Sequence, residues 1–186
     1  IGPALRAIEH RGPDDSGTYA SPSTGVVLGN RRLAIIDLSS AGHMPMSNED
    51  ATVWVTYNGE IYNAPTLRAE LEARGHVFAS RADTEVLVHG YEEWGSALPT
   101  HLNGLFAFAA WNERTGELLV ARDHLGIKPL YYRLDGGVLV FASEAKSLHA
   151  AGLAGRSLNV AALPKYLTYL WVPSPETLIE GVLKLP

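Results

Sequence analysis

The residues best equipped for chemistry lie in one stretch, VWVTYNGEIYNA, from Val53 to Ala64. A run of β-formers gives way there to one amide, one glycine and one carboxylate (Asn58, Gly59, Glu60), and then resumes with Ile61 and Tyr62. Read alone, Asn-Gly between β-formers is the strongest short hairpin signal, a type I′ turn. Two other groups could hold a polar ligand. Arg32 offers a planar fork that matches a carboxylate, although a lone arginine in a strand is by default a surface residue. Asp83 opens a helical pattern and reads both as an N-cap and as a ligand. The seven histidines show no metal-ligand spacing and read as solvated or core residues, so no metal is expected. Cysteine is absent, which removes disulfides, thiolate zinc sites and a thiol nucleophile from this sequence.

These groups need a frame. Pro3 to His10 reads as a short helix and RGPDDSG (Arg11 to Gly17) as a turn, with Pro13, Asp14, Asp15 and Gly17 as its turn residues. Gly25 to Asp37 is β-rich, with a break expected at Gly29-Asn30. Ala51 to Asn58 alternates, Val53, Val55 and Tyr57 on one face and Trp54 and Thr56 on the other. Leu67 and Leu71 sit four apart in an amphipathic helix stopped by Gly75, and a second helix runs from Asp83 to Gly95. GLFAFAAWNERTGELLVARDHLG is two strands about a turn at Asn112 to Gly116, and PLYYRLDGGVLVFASE is a hairpin with Asp135-Gly136-Gly137 at its tip. Helices follow near Glu144 to Ala151 and Val160 to Leu170, and the proline-bearing tail reads as a linker. Strands in two clusters with helices between them make an α+β fold with mostly antiparallel pairing.

The bulk numbers suit one globular domain: 186 residues, 46% hydrophobic, 19% charged. Fifteen basic against twenty acidic residues give a net charge of −5, with no basic block, so nucleic acid is not expected as a partner. No apolar run approaches the roughly 18 residues of a spanning helix, no signal peptide opens the chain, and no membrane partner is expected.

Six motifs in order, RGPDDSG, RRLAIID, YNGEIYN, ADTEVL, LNGLFAFAAW and ARDHLGIKPLYY, resemble the N-terminal glutaminase domain of glutamine-hydrolysing asparagine synthetases. That domain is a class II amidotransferase of the N-terminal-nucleophile (Ntn) hydrolase superfamily. The resemblance implies a four-layer αββα sandwich of two mostly antiparallel sheets. It implies hydrolysis of the side-chain amide of L-glutamine, with the Asn58 side chain and the Gly59 N–H as oxyanion hole, the strand ending there so that its donors face a ligand. It places Arg32 at the substrate carboxylate, Asp83 and the segment at Glu60 at the α-ammonium, and the backbone of Leu33, Ala34, Ile35 and Ile36 along the pocket. If the segment is a strand, alternation turns the adjacent Arg31 to the opposite face. Arg11 and Asp14 are expected to be structural. Arg122, Asp123, Gly126 and Lys128 are expected to form a corner or an inter-domain surface, the glycines lacking P-loop spacing.

The sequence departs from the family in one large respect. The family nucleophile is an N-terminal cysteine ahead of a short strand, whose own amine is the base; here the chain opens at IGPALRAIEH and has no cysteine. The expectation is a fragment lacking that strand, inactive alone, with residues 1–158 as the glutaminase domain and 159–186 leading toward a missing ATP-dependent synthetase domain. ATP and Mg are expected only in that missing domain, with no cofactor in this one. Ammonia would pass to an ATP-activated carboxylate, aspartate by default, in the cytoplasm; a homodimer is left open. The alternatives are a non-catalytic amidotransferase-like domain of a related synthetase, or the glutaminase domain of an enzyme aminating a sugar phosphate or phosphoribosyl pyrophosphate. Two smaller departures are Met44, where the family usually has Gln, and Ala82, where Ser is common.

Overall fold

A computed structural model describes residues 1–186. The helices are α1 (Gly2–Ala7), α2 (Ala64–Ala73), α3 (Thr84–Trp94), α4 (Ala145–Ala150) and α5 (Leu163–Tyr169). The strands are β1 (Asp15–Ala20), β2 (Val27–Arg32), β3 (Met46–Ser47), β4 (Val53–Ile61), β5 (Gly104–Asn112), β6 (Glu117–Arg122), β7 (Tyr131–Asp135), β8 (Val138–Ala142) and β9 (Leu183–Lys184). Every pairing between them is antiparallel.

The main sheet has the order β3-β4-β5-β6. The alternation read from the sequence decides its two faces. Val53, Val55 and Tyr57 join Leu67, Leu71, Val86, Leu87 and Phe106 in the main core, beneath α2 and α3. Trp54 and Thr56 turn the other way: Trp54 stacks on Tyr19 with ring centroids 4.0 Å apart, and the Thr56 hydroxyl donates to the Gly29 carbonyl at 3.1 Å. That second face is covered by two separate sheets, β1-β2 and β8-β7-β9. Outside them α1 packs on α4, where the Ser147 hydroxyl donates to the Ala4 carbonyl at 3.2 Å. The result is α+β in four layers, with the second sheet layer in two pieces.

Four expectations require correction. The turn read over Arg11 to Gly17 is already strand from Asp15 onward. β2 runs through Gly29-Asn30 without a break and ends at Arg32, so 33–38 is irregular. Gly29 serves packing rather than breaking: a Cβ there would meet Ile1 at 2.9 Å and Leu5 at 3.2 Å, so its absence lets α1 lie close against the strand. β4 does not end at Asn58 and contains no hairpin turn; its pairing with β5 continues through Gly59↔Phe106 to Ile61↔Gly104. Finally, the tail does not lead away as a linker. Leu183 and Lys184 pair with Tyr132 and Tyr131, Val182 is buried beside Leu148 and Ala154, and Arg122 donates to the Leu185 carbonyl. Val172, Thr177 and Val182 are the buried residues of the tail, and the Thr177 hydroxyl donates to the Val182 carbonyl at 2.7 Å.

Candidate active site

The free edge of β4 is where the chemistry-bearing residues meet. β3 pairs only with Val55 and Trp54, so beyond that point β4 has no neighbour on one side. In an antiparallel pair, alternate residues turn both backbone groups toward or away from the partner strand. Phe106 spends its carbonyl on the Asp123 N–H and its N–H on the Asp123 carboxylate, so it faces away from β4. Its partner Gly59 therefore turns its N–H outward, to the free edge. Tyr57 and Ile61 follow the same rule: the Tyr57 carbonyl accepts from the Asn30 amide at 3.1 Å, and the Ile61 N–H donates to Asp83 at 3.0 Å. The need for glycine at 59 comes from the other side: a Cβ would stand 2.1 Å from the Leu105 carbonyl oxygen and 2.8 Å from the Phe106 Cα. It is the neighbouring strand, not a ligand, that approaches so closely.

Beside this edge lies a cleft of about 480 Å³, lined among others by Arg32, Asn58, Gly59, Glu60, Asp83 and Lys128. A smaller, mainly apolar cavity of about 110 Å³ adjoins it between α1, β2, β5 and β8, and Tyr57 and Asn58 line both. The Asn58 Nδ2 atom is buried and has no hydrogen-bond partner. A buried donor without a partner costs about 1–3 kcal/mol, so its presence marks a place where stability yields to something else.

Asp83 is buried at the head of α3, yet its side chain caps nothing. The carboxylate is turned to β4 instead, where it accepts from the Tyr57 hydroxyl at 2.7 Å and from the Ile61 N–H. Burial first, and then the Asp83 charge, push the Tyr57 hydroxyl up, so it stays a protonated donor. Glu60 lies on the same side of the cleft. Burial and then the charge of Asp83 hold its carboxyl above the usual range, with Lys128 opposing. On this side of the cleft two carboxylates thus face a single cation, Lys128.

Arg32 is 9% exposed and lines the cleft, but two of its N–H groups are already engaged. It donates to the carbonyl of Ser39 at 3.1 Å and to that of Asp37. Close packing of Gly42 against the guanidinium fixes it further. Arg32 therefore organises the loop after β2 while keeping donors free, since a guanidinium has five. Leu33, Ile35 and Ile36 line the cleft from that loop and are more than half exposed, whereas Ala34 is not part of the lining. The Ala34 N–H is held by Asp14 at 2.9 Å, which gives Asp14 its ordering role. Arg31 binds the Gly12 carbonyl and Glu9 but, although it alternates with Arg32 along β2, it also lines the cleft. Arg11 pairs with Glu144.

Sequence reasoning missed two supports, Asp37 and Glu85, and gave Asp123 only as part of a corner. Asp37 ends the RRLAIID motif and accepts from Ser39 and from the Arg81 N–H, tying the loop to the segment that carries Asp83. The hydroxyl and N–H of Ser39, with the Arg81 N–H, lower its carboxyl to about 2. Glu85 is buried and accepts from the N–H groups of Ala79 and Ser80 and from the Ser80 hydroxyl, at 2.6, 2.8 and 2.6 Å. Asp123 accepts from the N–H groups of Ile127 and Lys128 and makes the expected corner, from which the Lys128 side chain reaches the cleft. The sequence signal for these residues was membership of a motif; most of their partners lie within six positions, while the Arg81 N–H bound by Asp37 and the Phe106 N–H bound by Asp123 are remote in the chain.

The whole chain, residues 1–186, matches the family described as glutamine amidotransferase domain. It belongs to that family, and its fold is that of the Ntn-hydrolase amidotransferases. More particularly, it is similar to the glutamine amidotransferase domain carried by proteins named as glutamine-hydrolysing asparagine synthetases, the family that the motifs implied. It is 44% identical to asparagine synthetase 1 of Bacillus subtilis strain 168 over 178 residues, which is 96% of this chain and 28% of that protein. It is 42% identical to a putative asparagine synthetase of Mycobacterium tuberculosis strain H37Rv over 197 residues, 100% of this chain and 30% of that protein. The chain thus spans less than a third of these relatives. Among solved structures, the phosphoribosylpyrophosphate amidotransferase of B. subtilis superposes with a TM-score of 0.69 at 24% identity, covering 80% of this chain and 40% of that one, a likeness of fold alone.

Proposed function

We propose that the cleft at the free edge of β4 binds L-glutamine and belongs to the ammonia-producing half of an asparagine synthetase-type amidotransferase. The observation that carries the reading is the buried, unpartnered Asn58 amide beside the outward Gly59 N–H, with two carboxylates on one side and arginine and lysine side chains around the rest. Glutamine has three polar ends that such a site would satisfy together. Its α-ammonium lies between Asp83 and Glu60, two carboxylates faced by one cation, Lys128. Its α-carboxylate takes the free donors of Arg32. Its side-chain carbonyl oxygen points at Asn58 Nδ2 and Gly59 N–H.

Hydrolysis then requires a nucleophile to add to the amide carbon. The carbonyl oxygen becomes an oxyanion, stabilised by the two donors; collapse expels ammonia once its nitrogen is protonated, and water releases glutamate. This chain supplies the donors and the substrate contacts. The nucleophile, in this reading, is a cysteine outside the present sequence, on a strand that enters the apolar cavity next to Asn58. The ammonia passes to a carboxylate activated with ATP and Mg in a separate synthetase domain, with aspartate as the default acceptor, in the cytoplasm.

Titration of the purified chain with amino acids tests the binding half directly. L-Glutamine should bind saturably and perturb Asn58, Gly59 and Ile61 amide resonances. Nα-acetyl-L-glutamine, which lacks the ammonium, should not. Equal binding of both, or perturbations confined to other surfaces, would overturn the assignment.

A further inference from the structure

The sequence shows no metal-ligand spacing among its histidines, yet the fold gathers two of them with a glutamate far from the cleft. His76 follows α2, while His89 and Glu92 lie one turn apart on α3. Their nearest ligand-type atoms lie within 4.8 Å of one another. The His89 Nδ1 is 2.9 Å from Glu92 Oε2, and the His76 Nδ1 is 3.8 Å from the same oxygen. Ligands about 2.0–2.2 Å from a tetrahedral ion stand a little over 3 Å apart, so small rotations of these side chains bring all three to one point.

We propose that His76, His89 and Glu92 form a binding site for a divalent transition metal of the zinc type, with a fourth position open to water. Two imidazole nitrogens and one carboxylate oxygen suit Zn²⁺, Co²⁺ or Ni²⁺ and not Mg²⁺ or Ca²⁺, which take oxygen ligands. The outer shell is the second argument. A metal-bound histidine ordinarily gives its other ring N–H to a carboxylate, and a ligating carboxylate is itself hydrogen-bonded. Here the His76 Nε2 faces Glu93 Oε2 at 3.6 Å and the His89 Nε2 faces Glu85 Oε1 at 3.8 Å. Glu92 Oε1 accepts from the Asn48 amide at 2.8 Å, leaving Oε2 for the ion. Access and rigidity are also divided suitably. His89 is 2% exposed and held edge-on by Phe78, while His76 and Glu92 reach the surface. The charges ask for a cation: Glu85, Glu92 and Glu93 lie against the two rings, while of the nearby arginines Arg74 is engaged by Glu93 and Glu70 and Arg68 lies over the Phe78 ring. A metal ion would tie the end of α2 to α3, the helix that carries Asp83 at its head.

The purified full chain, stripped with a chelator and titrated with Zn²⁺ near pH 7.5, should bind one ion and gain several degrees in Tm. Co²⁺ should give the visible absorption of a four-coordinate site. His76→Gln and Glu92→Gln, both at partly exposed positions, should abolish stoichiometric binding and the Co²⁺ band. Glu93→Gln should weaken binding roughly 10- to 100-fold, and His10→Gln should leave it unchanged. Far-UV circular dichroism identifies any variant that fails to fold; His76→Asn then replaces His76→Gln. Absence of one-to-one binding by the parent chain, or binding that survives in folded His76 and Glu92 variants, would overturn the site.

Discussion

Asn58 separates stability from function at the scale of one side chain. Its buried Nδ2 has no partner, so removing it removes a desolvation cost as well as a donor. Asn58→Ala should leave the Tm of the chain unchanged or raise it slightly. In a version of the domain that carries the nucleophile, the same change should lower kcat by on the order of 10²–10³ with little effect on KM, because the donor acts on the developing oxyanion. A change confined to KM would place Asn58 at the wrong end of the substrate. Asp83 and Glu60 make the second residue-scale case. Burial and Asp83 raise the Glu60 carboxyl. A carboxyl raised in the folded state binds its proton more tightly there than when unfolded. The stability it contributes is present below its unfolded value, and is lost as pH rises through its elevated folded value. Glutamine affinity should run the opposite way, falling as Glu60 is protonated just above the ordinary range. Asp83→Asn should return the Glu60 titration toward that range, readable by carboxyl NMR, and should weaken L-glutamine binding at least tenfold. An unmoved Glu60 titration would break the link between the two groups.

At the scale of the element, β4 has to remain a strand while offering a donor at its edge. Antiparallel alternation supplies this: even-numbered residues pair with β5 and odd-numbered ones turn outward, to Asn30, to the cleft and to Asp83. The constraint falls on Gly59. A methyl group at 2.1 Å from the Leu105 carbonyl oxygen meets backbone, which has no rotamer to move into. Gly59→Ala should destabilise the domain by about 1–3 kcal/mol or more, the scale of overpacking. Gly29→Ala should cost less, because its nearest neighbour is the flexible Ile1 side chain at 2.9 Å. Urea denaturation of the two variants orders them, and a reversed order would show that β4 and β5 can part without cost.

At the scale of the molecule, the second sheet layer stands in two pieces with an apolar cavity of about 110 Å³ between them and β4. A strand seated there would join the layer and bring a reacting group next to Asn58. The chain by itself should therefore release no ammonia from L-glutamine above the rate without protein. Adding a family-like strand that begins with cysteine, its amine free, should create glutaminase activity and raise the Tm. Ammonia release by the unextended chain that is lost in Asn58→Ala would mean that a serine or threonine already present is the nucleophile. Equal Tm with and without the strand would mean that the cavity is not its seat.

By itself, the sequence determined what depends on local pattern and on side-chain type. The alternation of Val53, Val55 and Tyr57 against Trp54 and Thr56 placed both faces of β4, because a period of two leaves one choice once the core side is apolar. The helices ending at Gly75 and Gly95, the hairpin tip at 135–137 and the α+β class followed from the same local rules, and the motifs carried the family. What the sequence did not contain was which groups meet. Asn-Gly looked like a turn because turn chemistry is local, while the reason Gly59 is glycine lies 46 residues away, at Leu105 and Phe106. Asp83 read as both a cap and a ligand, and the cap was lost when Tyr57 and Ile61 took its carboxylate. The tail looked like a linker until β7 offered it an edge. Two histidines 13 positions apart became neighbours only when α2 and α3 packed side by side. Each of these was decided by tertiary contact, since a hydrogen bond or a steric limit acts between atoms close in space, however far apart they stand in the chain.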